Sequence, residues 1–224
     1  MMRTWIAVAG TLAIAMTSAA ATAQDRGFYW GFDAGQGSIN SDKRGLDQSL
    51  IDGFAAAGLT VVSGTSDVSE DGFSWGLTLG YQVIDYLAIE ASYIDLGDFE
   101  YRARGTATGG VGLVDGSVAI DARGRGPALS ALAMLPVGNW LPYLRAGVIF
   151  ADADYDAAVT IGTSSASDDI SGSSENFLWG VGLGYRAGQW TTRLEYQQAQ
   201  DVGENSILGK ADVSRIVLGA IYRF

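Results

Sequence analysis

From Phe73 to Val83 every second residue is large and apolar: Phe73, Trp75, Leu77, Leu79, Tyr81, Val83. Between them stand Ser74, Gly76, Thr78, Gly80 and Gln82. A period of two is the signature of a strand, whose side chains point alternately to its two faces. The pattern recurs from Phe177 to Tyr185 around Gly180, Gly182 and Gly184, and from Ile216 to Phe224 around Val217, Gly219 and Ile221. A soluble sandwich turns its large residues inward to fill a core. Here the other face carries Gly, Ser, Thr and charge, which fill no apolar core. A narrow membrane barrel solves this the opposite way: large residues face lipid, and small and polar ones line the lumen.

The start of the chain agrees with export. Met1-Met2-Arg3 is a short basic opening, Trp5 to Met16 is apolar, and Ala21-Thr22-Ala23 has the small-x-small form of a cleavage site. Residues 1–23 are therefore expected to be a cleaved signal peptide, and residues 24–224 one barrel domain starting at Gln24. No later apolar run reaches the roughly 20 residues of a membrane helix.

The expected fold is all-β, an eight-stranded antiparallel up-and-down transmembrane barrel. The candidate strands are Phe28–Ser38, Gly72–Val83, Tyr86–Leu96, Val118–Leu135, Trp140–Tyr155, Asn176–Arg186, Trp190–Gln200 and Val213–Phe224. Each reaches the roughly 9–11 residues a tilted spanning strand needs. In the fourth, the lipid-facing parity is open, because Leu129 and Leu135 oppose Leu132 and Met134. The connections alternate. Ile84-Asp85, Pro136 to Asn139 and Ala187 to Gln189 are tight, whereas Ser41–Asp71, Gly97–Ser117, Asp156–Glu175 and Asp201–Asp212 are long and polar. Short periplasmic turns and long outer loops follow this order when both termini are periplasmic. Within the first long loop, Leu46, Leu50, Ile51, Phe54 and Leu59 have roughly helical spacing and predict a short amphipathic turn on the barrel rim.

Several stretches resemble the outer membrane protein A (OmpA)-like transmembrane β-barrel family of small porin-like outer membrane proteins. They are Gly27-Phe28-Tyr29-Trp30-Gly31, Gly80-Tyr81-Gln82, Tyr93-Ile94-Asp95-Leu96-Gly97 and Leu135-Pro136. The C-terminal Gly219-Ala220-Ile221-Tyr222-Arg223-Phe224 is similar to the terminal signal read by the barrel-assembly machinery, with Gly219, Tyr222 and Phe224 as its marked positions. Val217 departs from the polar residue that signal usually carries two before the Gly. The resemblance covers the mature chain and implies a place in the outer membrane. It also implies a structural, pore or adhesive role. Larger relatives carry a peptidoglycan-binding domain after the barrel; none is expected here, because the chain stops at Phe224.

Inward parity falls on Asp33, Glu90, Arg145, Arg193 and Glu195, each three to five residues from the periplasmic start of its strand. At about 3.3 Å per residue and roughly 45° tilt they share a depth. A ring of salt bridges across the lumen is expected, with Arg215 or water offsetting the third acid. Such charges are tolerable inside only when paired. The network is read first as a plug and second as a gate.

Catalysis is not expected. Activating a serine hydroxyl normally needs an adjacent base, usually His, and the chain has no His. With no Cys either, disulfides and thiolate metal sites are excluded. Asp152, Asp154 and Asp156 resemble the start of a calcium loop, but Ala157 and Thr163 stand where its Gly and Glu belong. They are weak metal candidates, read as solvated acids continuing the parity of Leu144 to Phe150, or as bridges through divalent cations to lipopolysaccharide phosphates. Asp168, Asp169, Glu175, Asp201 and Glu204 make the outer loops acidic. The net charge of −11 argues against nucleic-acid binding.

Expected partners are outer-membrane lipids, lipopolysaccharide and the assembly machinery, with no cofactor and a monomeric state. The first function read is a structural envelope barrel. The alternatives are a small low-conductance channel gated by the lumen salt bridges and a surface adhesin acting through the long loops. Eight strands leave room for side chains or one small ligand, which excludes a wide diffusion pore.

Overall fold

The structure, a computed structural model, describes residues 26–40, 43–69, 71–109, 112–202 and 211–224. The segment expected to be a signal peptide, residues 1–23, lies outside these residues. Among the described residues, nine strands and one helix follow in the order β1 (Gly27–Asn40), α1 (Lys43–Ala56), β2 (Thr60–Ser69), β3 (Asp71–Ile84), β4 (Leu87–Gly109), β5 (Gly112–Met134), β6 (Trp140–Ile161), β7 (Ser164–Ala187), β8 (Trp190–Val202) and β9 (Ala211–Arg223). Eight of them close a ring of antiparallel pairs. β1 pairs with β3 and β9, and β4 pairs with β3 and β5, so the ring has no free edge at its waist. β2 is the ninth strand. It pairs only with the far half of β4, from Thr60↔Thr108 to Ser69↔Glu100, outside the ring.

Two expectations about the loops need correction. Gly97–Ser117 and Asp156–Glu175 are not irregular loops. β4 and β5 stay in register to Gly109↔Gly112, and β6 and β7 to Ile161↔Ser164. Polar composition concealed strands here because both faces of a hairpin standing in water tolerate polar residues, so the period-two signal fades. Ser41–Asp71 holds the α1 helix and β2 rather than a short turn. The side chains of Leu46 and Leu50 lie outside the described set, as does Glu204.

Burial follows the predicted alternation and decides the open parity. Leu129 and Leu135 are exposed at 51% and 58%, while Leu132 and Met134 are at 0% and 5%. One bulge changes faces within a strand. Between Asp95 and Gly97 the β4 register shifts, Gly97 takes φ +105°, and its N–H donates to Asp95 Oδ1 at 3.0 Å. Only a residue without Cβ adopts that conformation cheaply. The extra residue moves the inward set from Ala88, Glu90, Ser92 and Ile94 to Phe99 and Tyr101.

Outside the ring, Phe32, Leu77, Leu79, Ile89, Leu144, Val181, Leu194, Ile216 and Leu218 form a continuous exposed apolar band. A band this extensive fits a hydrocarbon environment rather than water. Aromatics mark its rim beside the short turns. Trp140 stacks edge-on against Tyr185 and Trp190 against Tyr222, each with ring centroids 5.0 Å apart. Phe73, Tyr93 and Phe150 stand at the opposite rim.

Candidate functional site in the barrel lumen

The lumen holds the charged side chains that alternation turned inward. Asp33 comes from β1, Glu90 from β4, Arg145 from β6, Arg193 and Glu195 from β8, and Arg215 from β9. They form two groups rather than one ring. In the larger, Arg145 lies between two acids. Its Nη2 donates to Glu90 Oε2 at 2.6 Å, and its Nε donates to Glu195 Oε1 at 2.5 Å. Arg193 Nη1 donates to the other Glu90 oxygen at 2.6 Å. In the smaller, Arg215 Nη2 donates to Asp33 Oδ1 at 2.7 Å, Nε to Gln197 Oε1 at 2.8 Å and Nη1 to Ser74 Oγ at 3.2 Å. Each group is neutral overall, and Arg215 pairs the third acid. Desolvated charges persist on these terms, with the opposite charge close and further hydrogen bonds to the remaining lone pairs.

Sequence reasoning missed two tyrosines. Tyr29 donates its hydroxyl to Glu90 Oε1 at 2.7 Å, and Tyr143 donates to Glu195 Oε2 at 2.8 Å. The Arg193 guanidinium lies 5.4 Å from the Tyr29 ring centroid and 5.2 Å from that of Tyr143, within cation–π range of both. Each ring lies across a glycine of a neighbouring strand, Tyr29 opposite Gly80 and Tyr143 opposite Gly182. A Cβ at Gly80 would meet the Tyr29 ring at 2.2 Å, and one at Gly182 the Tyr143 ring at 2.3 Å. The inward parity of both tyrosines was readable. Their glycine partners were not, because register joins residues far apart in sequence.

Apolar clusters lie in the lumen on both sides of the charges. Toward the short turns lie Tyr29, Ala88, Leu132, Met134, Leu141, Tyr143 and Ile221. Toward the long hairpins lie Ile94, Leu96, Phe99, Ile149, Leu178, Val202 and Val213 with buried alanines among them. The ionic groups are thus held between two hydrophobic layers, and water is excluded from most of them: Glu90 is fully buried and Arg145 is 5% exposed.

The other candidates stand elsewhere. Asp152, Asp154 and Asp156 continue along β6, and Asp154 is 3.5 Å from Arg125. Arg123 pairs with Asp98 on the same outer surface. Among the described residues no group of three or more acids is gathered for a metal ion. At the C-terminus, Gly219 faces Asp33, Tyr222 faces outward between Trp190 and Phe224, and the Phe224 N–H donates to the Phe28 carbonyl at 3.3 Å.

A family model described as "OmpA-like transmembrane domain" matches residues 23–224. Outer membrane protein A of Serratia marcescens is 31% identical over 100% of this chain and 56% of that protein. Outer membrane protein A of Shigella flexneri is 29% identical, again over 100% of this chain and 56% of that protein. The chain therefore spans about half the length of the curated relatives it matches. Among solved structures, Neisserial surface protein A superposes with TM-score 0.45 at 16% identity, covering 88% of this chain and 97% of that one.

Proposed function

This chain belongs to the OmpA-like transmembrane domain family and sits in the cell outer membrane, and from that premise we propose that it is a sealed structural barrel supporting the envelope, without catalytic activity or steady conduction. The observation that carries the reading is the layered lumen. Conduction needs a continuous wet path, and an ion here meets apolar side chains before and after the charged layer. Rearranging salt bridges alone leaves both layers in place. Planar-bilayer recording tests this. Wild type, Glu90→Ala and Arg145→Ala should show no discrete current steps, and reproducible steps in wild type would overturn the sealed reading.

One observation favours the gated channel as a second reading. Glu90 accepts from both Arg145 and Arg193, so the bridges have an alternative partner to exchange with. On that reading, Arg145→Ala opens a current that wild type lacks.

The outer surface suits lipid contact. Arg102, Arg123 and Arg125 alternate with Asp98, Glu100, Asp152 and Asp154 beyond Phe150, at the height of outer-leaflet headgroups. Arginines there can contact lipopolysaccharide phosphates. Gly219, Tyr222 and Phe224 serve recognition by the barrel-assembly machinery. Cell-binding tests with β4–β5 tip deletions check the adhesive reading of the long hairpins.

A further inference from the structure

We propose that the outer extension of this barrel contains a binding site for a small, uncharged, apolar molecule. Beyond the lipid band, α1 packs beside β2, and its inner face lines one space together with β2, β4 and β5. Asp47, Ile51 and Phe54 recur at i, i+4 and i+7, so one face of the helix points at the sheet. The two do not meet fully. A cavity of about 220 Å³ remains between them, lined by Ile51, Phe54, Leu59, Val61, Val118 and Ile161 among others.

The space exists because the facing sheet positions are small. Gly64, Ala103, Gly105, Ala107 and Gly116 border it. Packed interiors rarely leave voids larger than a water molecule. Apolar cavities of roughly 150 Å³ stay dry and take up benzene. The present cavity is larger and partly open to solvent, with Ile51 44% exposed, and has room for a single ring bearing a short substituent.

The charge of the lining specifies an uncharged ligand. Asp47 accepts a hydrogen bond from Tyr101 Oη at 2.7 Å, which holds its carboxylate against the sheet. Arg104 borders the cavity but belongs to the exposed parity of β4. An ion entering would lose water against a lining made mostly of apolar and small side chains, with Asp47 and Arg104 as its charged members. The site also lies beyond Phe150, on the outer side of the band, so it draws its ligand from the external face.

The test uses the full chain in lipid nanodiscs with labelled Ile, Leu and Val methyls, titrated with toluene. Methyls of Ile51, Val118 and Ile161 should shift saturably. Those of the lipid-facing Leu77 and Leu218 should move only in proportion to the toluene dissolved in lipid. Ala107→Phe fills the space and should weaken the saturable response at least tenfold, with heat-modifiable gel migration retained. Ala103→Ile provides a second filling variant should the first fail to fold. Parallel, unsaturable movement of all methyls in wild type would overturn the proposal. So would a saturable response unchanged in the folded filled variants. Benzoate binding as tightly as toluene would overturn the assignment of an uncharged ligand.

Discussion

Arg145 and Glu90 join strands 55 residues apart in sequence through one hydrogen bond of 2.6 Å across the lumen, both side chains withdrawn from solvent. The pair ties β4 to β6, two strands that do not hydrogen-bond to each other but flank β5. Arg145→Met leaves Glu195 and one side of Glu90 without their cation. It is expected to cost about 3–5 kcal/mol, as stranding a buried charge does. Urea unfolding in lipid vesicles, followed by gel migration without heating, measures it.

The tyrosine–glycine pairs predict a steric effect separate from charge. Gly80→Val drives a side chain into the Tyr29 ring and breaks its bond to Glu90. Overpacking of this kind costs about 1–3 kcal/mol. The combination Gly80→Val with Tyr29→Ala should recover part of that loss, which a double-mutant cycle reads directly.

On the lipid face the penalty comes from the solvent. Leu218 is 61% exposed near the middle of β9, opposite Leu194. Leu218→Arg should destabilise the folded barrel by about 2–4 kcal/mol. Val217→Thr, one residue away but facing the lumen, should cost less by the same equilibrium measurement.

The α1 contact should depend on alkaline pH. Burial, together with the neighbouring Asp47 carboxylate, pushes the Tyr101 hydroxyl from 10.0 up to about 12. Folding thus favours the neutral phenol. That stabilisation is complete below pH 10 and disappears as pH rises through about 12. Limited proteolysis within α1 should accelerate across this window. Tyr101→Phe removes the titrating group, so its proteolysis should lack the step.

The alternating faces, the lipid-facing band and the alternation of tight turns with long outer excursions were legible in the sequence, although two of those excursions are hairpins rather than loops. All of them are local consequences of a two-residue period, and a period survives without knowledge of neighbours. The inward parity of Asp33, Glu90, Arg145, Arg193, Glu195 and Arg215 came from the same source. Tertiary structure alone decided their partners. Arg215 takes Asp33, Arg145 bridges two acids, and Tyr29 and Tyr143 join through glycines opposite them. Pairing across a lumen depends on strand register and shear, which relate residues by closure of the ring rather than by spacing along the chain. The parity of β5 was undecided for a related reason. Apolar residues on both of its faces erase the alternation, and Leu132 finds its inward place only where the apolar layer receives it. In the outer hairpins small and polar residues occupy both faces, so no period announced those strands, and hydrogen bonding to the neighbouring strand was left to define them.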